Sequence, residues 1–572
     1  MEWHLGSVIR ASMDAVPGDR PAVIDAHTDQ SLDWATLKKR SANICAELQA
    51  NGISRGDKVA IYARNNIAYV EAALAILQIG AVHVNVNFRY TADELLHIFS
   101  NSDAKAVFFQ DIFSDRLAEI AGRLPDLSVY IRIADPDKPP ETGLSFPGAN
   151  GSIIEMDSLA ADGFVQAPAD TLPDYATDPD DRFFMYTGGT TGLPKGAMWT
   201  QDKLFKMICI NYFAEGGPRQ PETPEDVRRM IENGEHYTEM VIAPMMHGMG
   251  IYSVLPTLVF GGTIVTSSAA RFDAAHVWQS IGKYNVNAMK LPGDAMGKPL
   301  LEALEAGRGK IGTDWQLDKF VLMISSAAVF SNHIKRRLVE LLPHLTINDI
   351  LGGSESAALG HAVTSSSDST NQDEETLKLT INEFVRVFTE DHKEVRPGSG
   401  EIGMVARSGL IADGYYKDPE RSAHTFPVID GQRYCLLGDW AEVLGDGTIK
   451  FLGRGNVCIN TGGEKVFPEE VEQSLKSLAN IDDCCVVGVA DARWGNAVTA
   501  LVQLVDGAAG LDVAATIASL RDRLAGYKIP KTFIVVKDIG RAPNGKLDYA
   551  SMKQLAADTL APHDDRPELI IL

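Results

Sequence analysis

Residues 186–196, YTGGTTGLPKG, place four glycines, three threonines and one lysine in eleven positions. Glycines let a backbone approach a ligand closely, amides and hydroxyls can contact phosphate oxygens, and a lysine adds charge. The stretch is a candidate phosphate cradle. It is not a P-loop, where Lys directly follows Gly and Ser or Thr directly follows Lys. Here Leu193 and Pro194 stand between Gly192 and Lys195, and Gly196 follows the lysine. Alone, the loop is a moderate signal, and a flexible glycine-rich surface loop is the lesser alternative.

It does not stand alone. Downstream come ISSAAV (324–329), DILGGSE (349–355), GEIG (400–403), GYYKDPE (414–420), LLGDW (436–440), GRGNVCINTGGEKVFPEEVE (453–472) and APNGKLD (542–548). In that order and at those distances, the set resembles the core motifs of the adenylate-forming superfamily. That family includes acyl- and aryl-CoA synthetases, peptide-synthetase adenylation domains and luciferases. The resemblance runs from about residue 5 to 555.

The resemblance implies a two-step reaction. A carboxylate attacks the α-phosphate of ATP, giving acyl-AMP and pyrophosphate; a thiol then attacks the acyl-AMP and AMP leaves. It also implies roles for residues. Thr187, Gly188, Gly189, Thr190, Thr191 and Lys195 would surround the β- and γ-phosphates. Glu355, preceded by Ser354, matches the Mg²⁺-binding glutamate, with Thr190 as a second metal contact. Asp349 sits where the adenine amino group is accepted, and the backbone at Ala327 and Ala328 would pack on the ring. Asp439 would accept the ribose hydroxyls, and Arg454 would reach ribose or phosphate.

Lys546, His247 and Glu355 are the candidate catalytic residues on this resemblance. Locally, PNGK is a turn whose lysine would be solvated, and a lone histidine among methionines and glycines is usually structural. The family match instead puts Lys546 on the substrate carboxylate and α-phosphate, and His247 beside the acyl carboxylate. Gly463 matches the loop that enters for the thiol step, where a glycine leaves room for the pantetheine arm of CoA. A hinge for domain rotation falls at Asn456, where many relatives carry Asp or Lys. TGG replaces the more common TSG, and GGSE replaces GxTE; neither change removes an essential functional group.

The acceptor and the acid are read from smaller signs. LGGSES has Glu355 after GGS, so it is not a phosphopantetheine attachment site, and Ser356 breaks a GxSxG elbow. Free CoA is the expected acceptor. The wording AMWTQDKLF, LPGDAMGKPLLEAL and CINTGGEKVFPEEVE is similar to bacterial synthetases for fatty acids, steroid side chains and terpenoid acids, so a hydrophobic carboxylic acid is expected. HGMGIY (247–252) could line its pocket, and no cation stands out for a second carboxylate. Two alternatives are transfer to a carrier protein or another acceptor, and a catalytically silent nucleotide-binding protein that senses acyl ligands.

These residues need elements to hold them. Residues 55–110 alternate strand and helix patterns: DKVAIYA, YVEAALAILQIG, AVHVNVN, TADELLHIFSN and KAVFF. The βαβ rhythm returns at 239–300 and 319–350, pointing to parallel sheets covered by helices. Residues 132–180, 214–236 and 364–376 read as irregular connections, the second as an insertion with a short polar helix. After residue 450 a strand, a glycine-rich turn and a helix near Pro468 begin a compact unit of about 115 residues. The expected fold is α/β: a large N-terminal domain (1–452) with parallel-rich sheets, and a small mobile α+β lid (453–572).

Composition limits the partners. Net charge is −23, from 76 acidic and 53 basic residues. That argues against nucleic acid, and it requires polyphosphate to be held by locally placed amides, cations or a metal. No apolar run reaches about 18 residues, and the N-terminus lacks a signal-peptide pattern, so no membrane span and a cytoplasmic location are expected. Six scattered cysteines suit reduced thiols. A homodimer is allowed but not indicated.

Overall fold

Apolar runs such as VAIY are stable strands only when both sheet faces are covered. That is their situation here: Val59, Ala60, Ile61 and Tyr62 have no solvent exposure. A computed structural model of the chain describes residues 3–138, 144–160, 178–189, 192–213, 221–234, 236–307, 315–367, 378–461, 464–491, 495–521, 523–542, 545–561 and 569–571.

Two eight-stranded sheets dominate. The first runs, strand by strand, Gly360–Thr364, Thr346–Leu351, Leu322–Ser325, Ala288–Leu291, Thr238–Val241, Thr263–Thr266, Pro21–Asp25 and Gln30–Asp33. Its six inner strands are parallel and its two edges antiparallel. The second runs Gly414–Tyr415, Gly192–Thr200, Arg182–Gly189, Val82–Asn85, Lys58–Tyr62, Ala104–Gln110, Val129–Ile133 and Ser152–Glu155. From Arg182–Gly189 onward it is parallel; the glycine–threonine hairpin and Gly414–Tyr415 add antiparallel pairs.

Parallel neighbours require crossovers, and helices supply them. Ile67–Gln78 links Lys58–Tyr62 to Val82–Asn85 and is buried along its length apart from Ala68. Thr91 and Glu94 close a capping box at the start of Ala92–Ser102, satisfying its first amides. A five-stranded antiparallel sheet follows, including Cys435–Val443 and Ile449–Arg454. The C-terminal unit has its own sheet, Ile481–Asp491, Gly495–Leu504, Thr532–Val536 and Leu569–Ile571, with helices Pro468–Lys476 and Tyr549–Leu560. It buries a separate apolar cluster around Val471, Val486 and Phe533. The architecture is thus a large mixed α/β N-terminal domain and a smaller C-terminal α+β domain.

Several expectations need correction. Within 132–180, expected to be irregular, Ser152–Glu155 is an edge strand and Met156–Ala160 a helix. An edge strand paired through its backbone needs no long apolar run, so SIIE was inconspicuous. Within 214–236, the expected short helix is Pro224–Glu232, capped by Thr223, but it is not wholly polar: its Val227, Met230 and Ile231 are buried in the large N-terminal core. Of the pattern TIASLRDRLAGY, residues 516–521 lie in the helix Val513–Arg521, and Gly526–Lys528 is a separate short turn of helix. Residues 368–377, most of the expected polar loop, lie outside the described residues.

The small domain docks on the large one through pairs distant in sequence. Lys298 bonds Asp482, and Lys476 Nζ lies 3.7 Å from Asp294 Oδ2. Among the described residues, no helix is long and apolar enough to cross a membrane.

Candidate active site

A cavity of about 1400 Å³ opens where the sheets and the small domain meet. Its walls bring together residues from positions 85 to 549.

One corner is built by strand pairing. Asp439, on Cys435–Val443, lies opposite Arg454, on Ile449–Arg454. Arg454 Nε donates to Asp439 Oδ1 at 3.2 Å. Asp439 is 1% exposed, and its Oδ2 is buried without a hydrogen-bond partner among the described residues. A carboxylate oxygen in that state is costly unless a donor arrives. Two vicinal hydroxyls of a ribose are donors of that kind. Arg454 is half exposed because it faces the cavity.

A second corner centres on Glu355, a buried carboxylate. Its Oε1 accepts from Thr187 Oγ1 at 3.2 Å and from the Tyr415 hydroxyl at 2.9 Å. Thr187 pairs with Lys195 across the hairpin, and Lys195 Nζ sits 5.1 Å from the centre of the Tyr415 ring. Burial pushes the Lys195 ammonium below the ordinary lysine range, Arg421 adds to the shift, and Glu355 opposes it. Ser354 holds the loop in place: its carbonyl accepts from Trp199 Nε1 at 2.9 Å. Gly188 and Gly189 end the strand Arg182–Gly189. Thr190, Thr191 and Gly463 lie outside the described residues.

No cluster of three or more His, Cys, Asp or Glu suited to a metal is found among the described residues. Mg²⁺ is commonly held by one or two carboxylates, water and substrate phosphates. Glu355, with one oxygen committed to hydroxyls, can supply such a carboxylate.

A third wall follows the strand Leu322–Ser325. Ala327 has φ 68°, a left-handed conformation uncommon for a residue with a Cβ. It turns the chain so that Ala327 and Ala328 line the cavity. Asp349, within the neighbouring strand Thr346–Leu351, also lines it, but its Oδ2 is held by Lys335 in a buried ion pair. Its carboxylate is therefore partly committed inside the protein.

Lys546 and His247 complete the cavity from opposite domains. Lys546 is delivered by the small domain through Gly545, whose φ is 75°. A Cβ built on Gly545 would lie 3.1 Å from the Cβ atoms of both Ala295 and Ala328. Burial pushes Lys546 below the usual lysine range, the Arg454 cation adds to this, and Glu355 opposes it. His247 is the residue before helix Gly248–Val259, and its Nε2 is buried without a partner among the described residues. Burial, then the charges of Lys546 and Arg89, lower its pKa to about 4. It is a neutral imidazole at physiological pH.

Two lining residues, Tyr415 and Lys290, escaped the sequence reading. Tyr415 sits in a quoted motif, GYYKDPE, yet its bond to Glu355 links positions 60 apart. Tyr252 and Lys290 also line the cavity. Lys290 left a trace: it is the lone cation in the apolar strand AMKL. Within HGMGIY, Gly248, Met249 and Tyr252 line the cavity, while Ile251 belongs to the core.

Known proteins share this organisation. The model for AMP-binding enzymes matches residues 9–416, and that for the AMP-binding enzyme C-terminal domain matches 470–546. The chain is 37% identical over 571 residues to a 3-oxocholest-4-en-26-oate–CoA ligase of Rhodococcus rhodochrous, covering 99% of this chain and 98% of that protein. It is 35% identical over 566 residues to a medium/long-chain-fatty-acid–CoA/3-oxocholest-4-en-26-oate–CoA ligase of Mycolicibacterium smegmatis, covering 98% and 97%. An anthranilate CoA ligase solved with anthranoyl-AMP, AuaEII, superposes with a TM-score of 0.79 at 17% identity over 98% of each chain, a likeness of fold.

Proposed function

The chain belongs to the adenylate-forming family of AMP-binding enzymes, and from that premise we propose that it joins a hydrophobic carboxylic acid to CoA. It is an ATP-dependent, AMP-forming acid–thiol ligase. Its relatives are named for fatty and steroid side-chain acids. The observation that carries the assignment is the meeting of Lys546, Asp439–Arg454, Glu355 and His247 around one cavity, from both domains.

In the first step a carboxylate oxygen bonds to the α-phosphorus of ATP, and the bond from that phosphorus to the bridging oxygen breaks. Pyrophosphate leaves and acyl-AMP remains. Asp439 and Arg454 hold the ribose. Ala327 and Ala328 pack on the adenine, with Asp349 near its amino group. The backbone and hydroxyls from Thr187 to Thr191 and Lys195 hold the β- and γ-phosphates. Glu355, with Thr190, would hold Mg²⁺, which neutralises phosphate charge when bound. Lys546 bridges the acid carboxylate and the α-phosphate, stabilising charge where it accumulates. Neutral His247 adds no second cation there and can shape the carboxylate's seat.

In the second step the CoA sulfur bonds to the acyl carbon, the bond to the AMP oxygen breaks, and the thiol proton is lost to solvent. The loop at Gly463 admits the thiol after the small domain turns about Asn456. We place the domain boundary between residues 452 and 453. The acidic net charge and scattered cysteines favour a cytoplasmic enzyme with small-molecule partners over a nucleic-acid binder.

The test is mass spectrometry of the purified protein with ATP, Mg²⁺, CoA and a pooled panel of fatty, aryl and steroid-type acids. The expected products are AMP and one new acyl-CoA in equal amounts. Acyl-AMP without thioester would keep the ATP site and overturn CoA as acceptor.

A further inference from the structure

The turn that carries Lys546 is held from behind by one side chain. Arg541 donates from Nη1 to the carbonyl oxygen of Gly545 at 3.1 Å. That carbonyl belongs to the peptide unit joining Gly545 to Lys546. A peptide unit is planar, so holding its oxygen fixes the direction in which the Lys546 backbone leaves it. Two backbone bonds close the same turn. Gly545 N donates to the Ala542 carbonyl at 2.8 Å, and Ala542 N to the Lys546 carbonyl at 3.0 Å. A lysine has a long flexible stem, so the aim of its ammonium depends on a fixed backbone.

Arg541 is itself aimed. Its Nε donates to Asp483 Oδ2 at 2.5 Å, and its Nη2 to Asp483 Oδ1 at 2.9 Å and to the Cys484 carbonyl at 3.3 Å. A bidentate carboxylate fixes the plane of a guanidinium and so the direction of Nη1. A lysine at 541 would keep the charge and lose the fork. Asp483 and Cys484 lie near the start of Ile481–Asp491, so the turn is braced against the small domain's sheet. Arg541 borders the cavity, yet all three of its nitrogens are bonded to protein.

The same carboxylate meets the large domain. Lys476 Nζ lies 2.9 Å from Asp483 Oδ1 and 3.7 Å from Asp294 Oδ2. Asp294 in turn accepts from the Ser331 amide at 2.7 Å and the Ser331 hydroxyl at 2.6 Å, just beyond Ala328. Burial opposes ionisation of Asp483, but the Arg541 bonds and the Lys476 charge hold its carboxyl below the ordinary range. With the small domain docked, the brace on Lys546 and the wall at Ala327 and Ala328 share one chain of contacts.

We propose that Arg541, oriented by Asp483, is a positioning residue for the first step: through the Gly545 carbonyl it sets where the Lys546 ammonium stands. It acts through Lys546 rather than on substrate. This rests on the reading of the cavity as that of an acid–CoA ligase.

The experiment is a double-mutant cycle on the first-turnover rate of pyrophosphate release by the full chain, with ATP, Mg²⁺ and the pooled panel of fatty, aryl and steroid-type acids. Arg541→Lys should lower that rate roughly 10- to 100-fold, the cost of a small misplacement of a reacting group, with half-saturation by ATP changed by less than about threefold. In the Lys546→Ala background the same substitution should change the remaining rate by no more than about twofold, because residues that act as one unit do not add. Thioester formation from supplied acyl-AMP should be largely retained. Losses that add in the cycle would separate Arg541 from Lys546 and overturn the proposal. So would an undiminished first step in Arg541→Lys, or equal losses in the two steps. Asp483→Asn keeps an oxygen acceptor but loosens the fork; it runs through the same cycle and decides the matter if Arg541→Lys does not fold. Wild-type release with any acid supports the ligase reading by itself, so a failed cycle then counts against Arg541 alone. No release with any acid overturns the ligase reading and this proposal with it.

Discussion

Asp439 and Arg454 face each other on adjacent strands, and their ion pair uses only one carboxylate oxygen. The other is buried and waiting for a donor. Asp439→Asn keeps the volume and an oxygen for Arg454 but loses the charge. Hydrogen bonds to a charged group are worth about 1.5–3 kcal/mol. ATP affinity should therefore fall roughly 10- to 100-fold. Calorimetric titration with a non-hydrolysable ATP analogue measures this. Unchanged affinity would remove the ribose from Asp439.

Gly545 places Lys546 where a side chain would press tightly, at 3.1 Å, on the Cβ atoms of Ala295 and Ala328. Gly545→Ala adds a methyl against two Cβ atoms that cannot swing away. It also puts a Cβ in a left-handed conformation, at about 1–2 kcal/mol. Acyl-AMP formation should slow about tenfold or more. Thioester formation from supplied acyl-AMP should change less, because that step uses another domain position. Rapid-quench assays of the two steps decide it; equal losses would separate Gly545 from the positioning of Lys546.

How far the sequence led depended on whether a contact was local. The parallel sheets were legible because both-face burial writes itself as unbroken apolar runs such as VAIY. The capping box at Thr91 and the helix at Pro468 were legible because their signals lie within four residues. Lys546 was different. Nothing near PNGK separates a solvated turn from a buried cation, and only the ordered motif set singled it out. The docking pair Lys298–Asp482 spans 184 positions and left no pattern at all. Tyr415 and Lys290 were missed for the same reason, since their partners lie 60 and about 50 positions away in the chain.

His247 links the cavity to pH. Its pKa is lowered from 6.5 to about 4, first by burial. The unfolded chain therefore takes up this proton before the folded protein does. Stability from this group is complete above about pH 6.5 and is lost as pH falls toward 4. Urea unfolding at pH 7.5 and 5.0 should show a smaller drop in His247→Gln than in wild type. An identical drop would mean that His247 is not held neutral. The same neutrality predicts no inflection from His247 in the rate profile between pH 6 and 8.

Lys546→Ala joins the chemical and electrostatic arguments. Lys546 reaches a cavity shared with Glu355 and Arg454, and its charge is the largest charge effect on His247 after burial. Removing one preorganised cation or donor at a developing charge costs about 3–4 kcal/mol. Acyl-AMP formation should fall roughly 10²- to 10³-fold, while supplied acyl-AMP should still react with CoA. Loss of the cation should also raise the His247 pKa, which NMR titration of the imidazole C–H signals can follow with no substrate present. The two readouts have different failures. A normal first step with a shifted histidine would leave Lys546 in the cavity but outside the chemistry. A lost first step with an unmoved histidine would mean that the small domain brings Lys546 to the cavity only when ATP is bound.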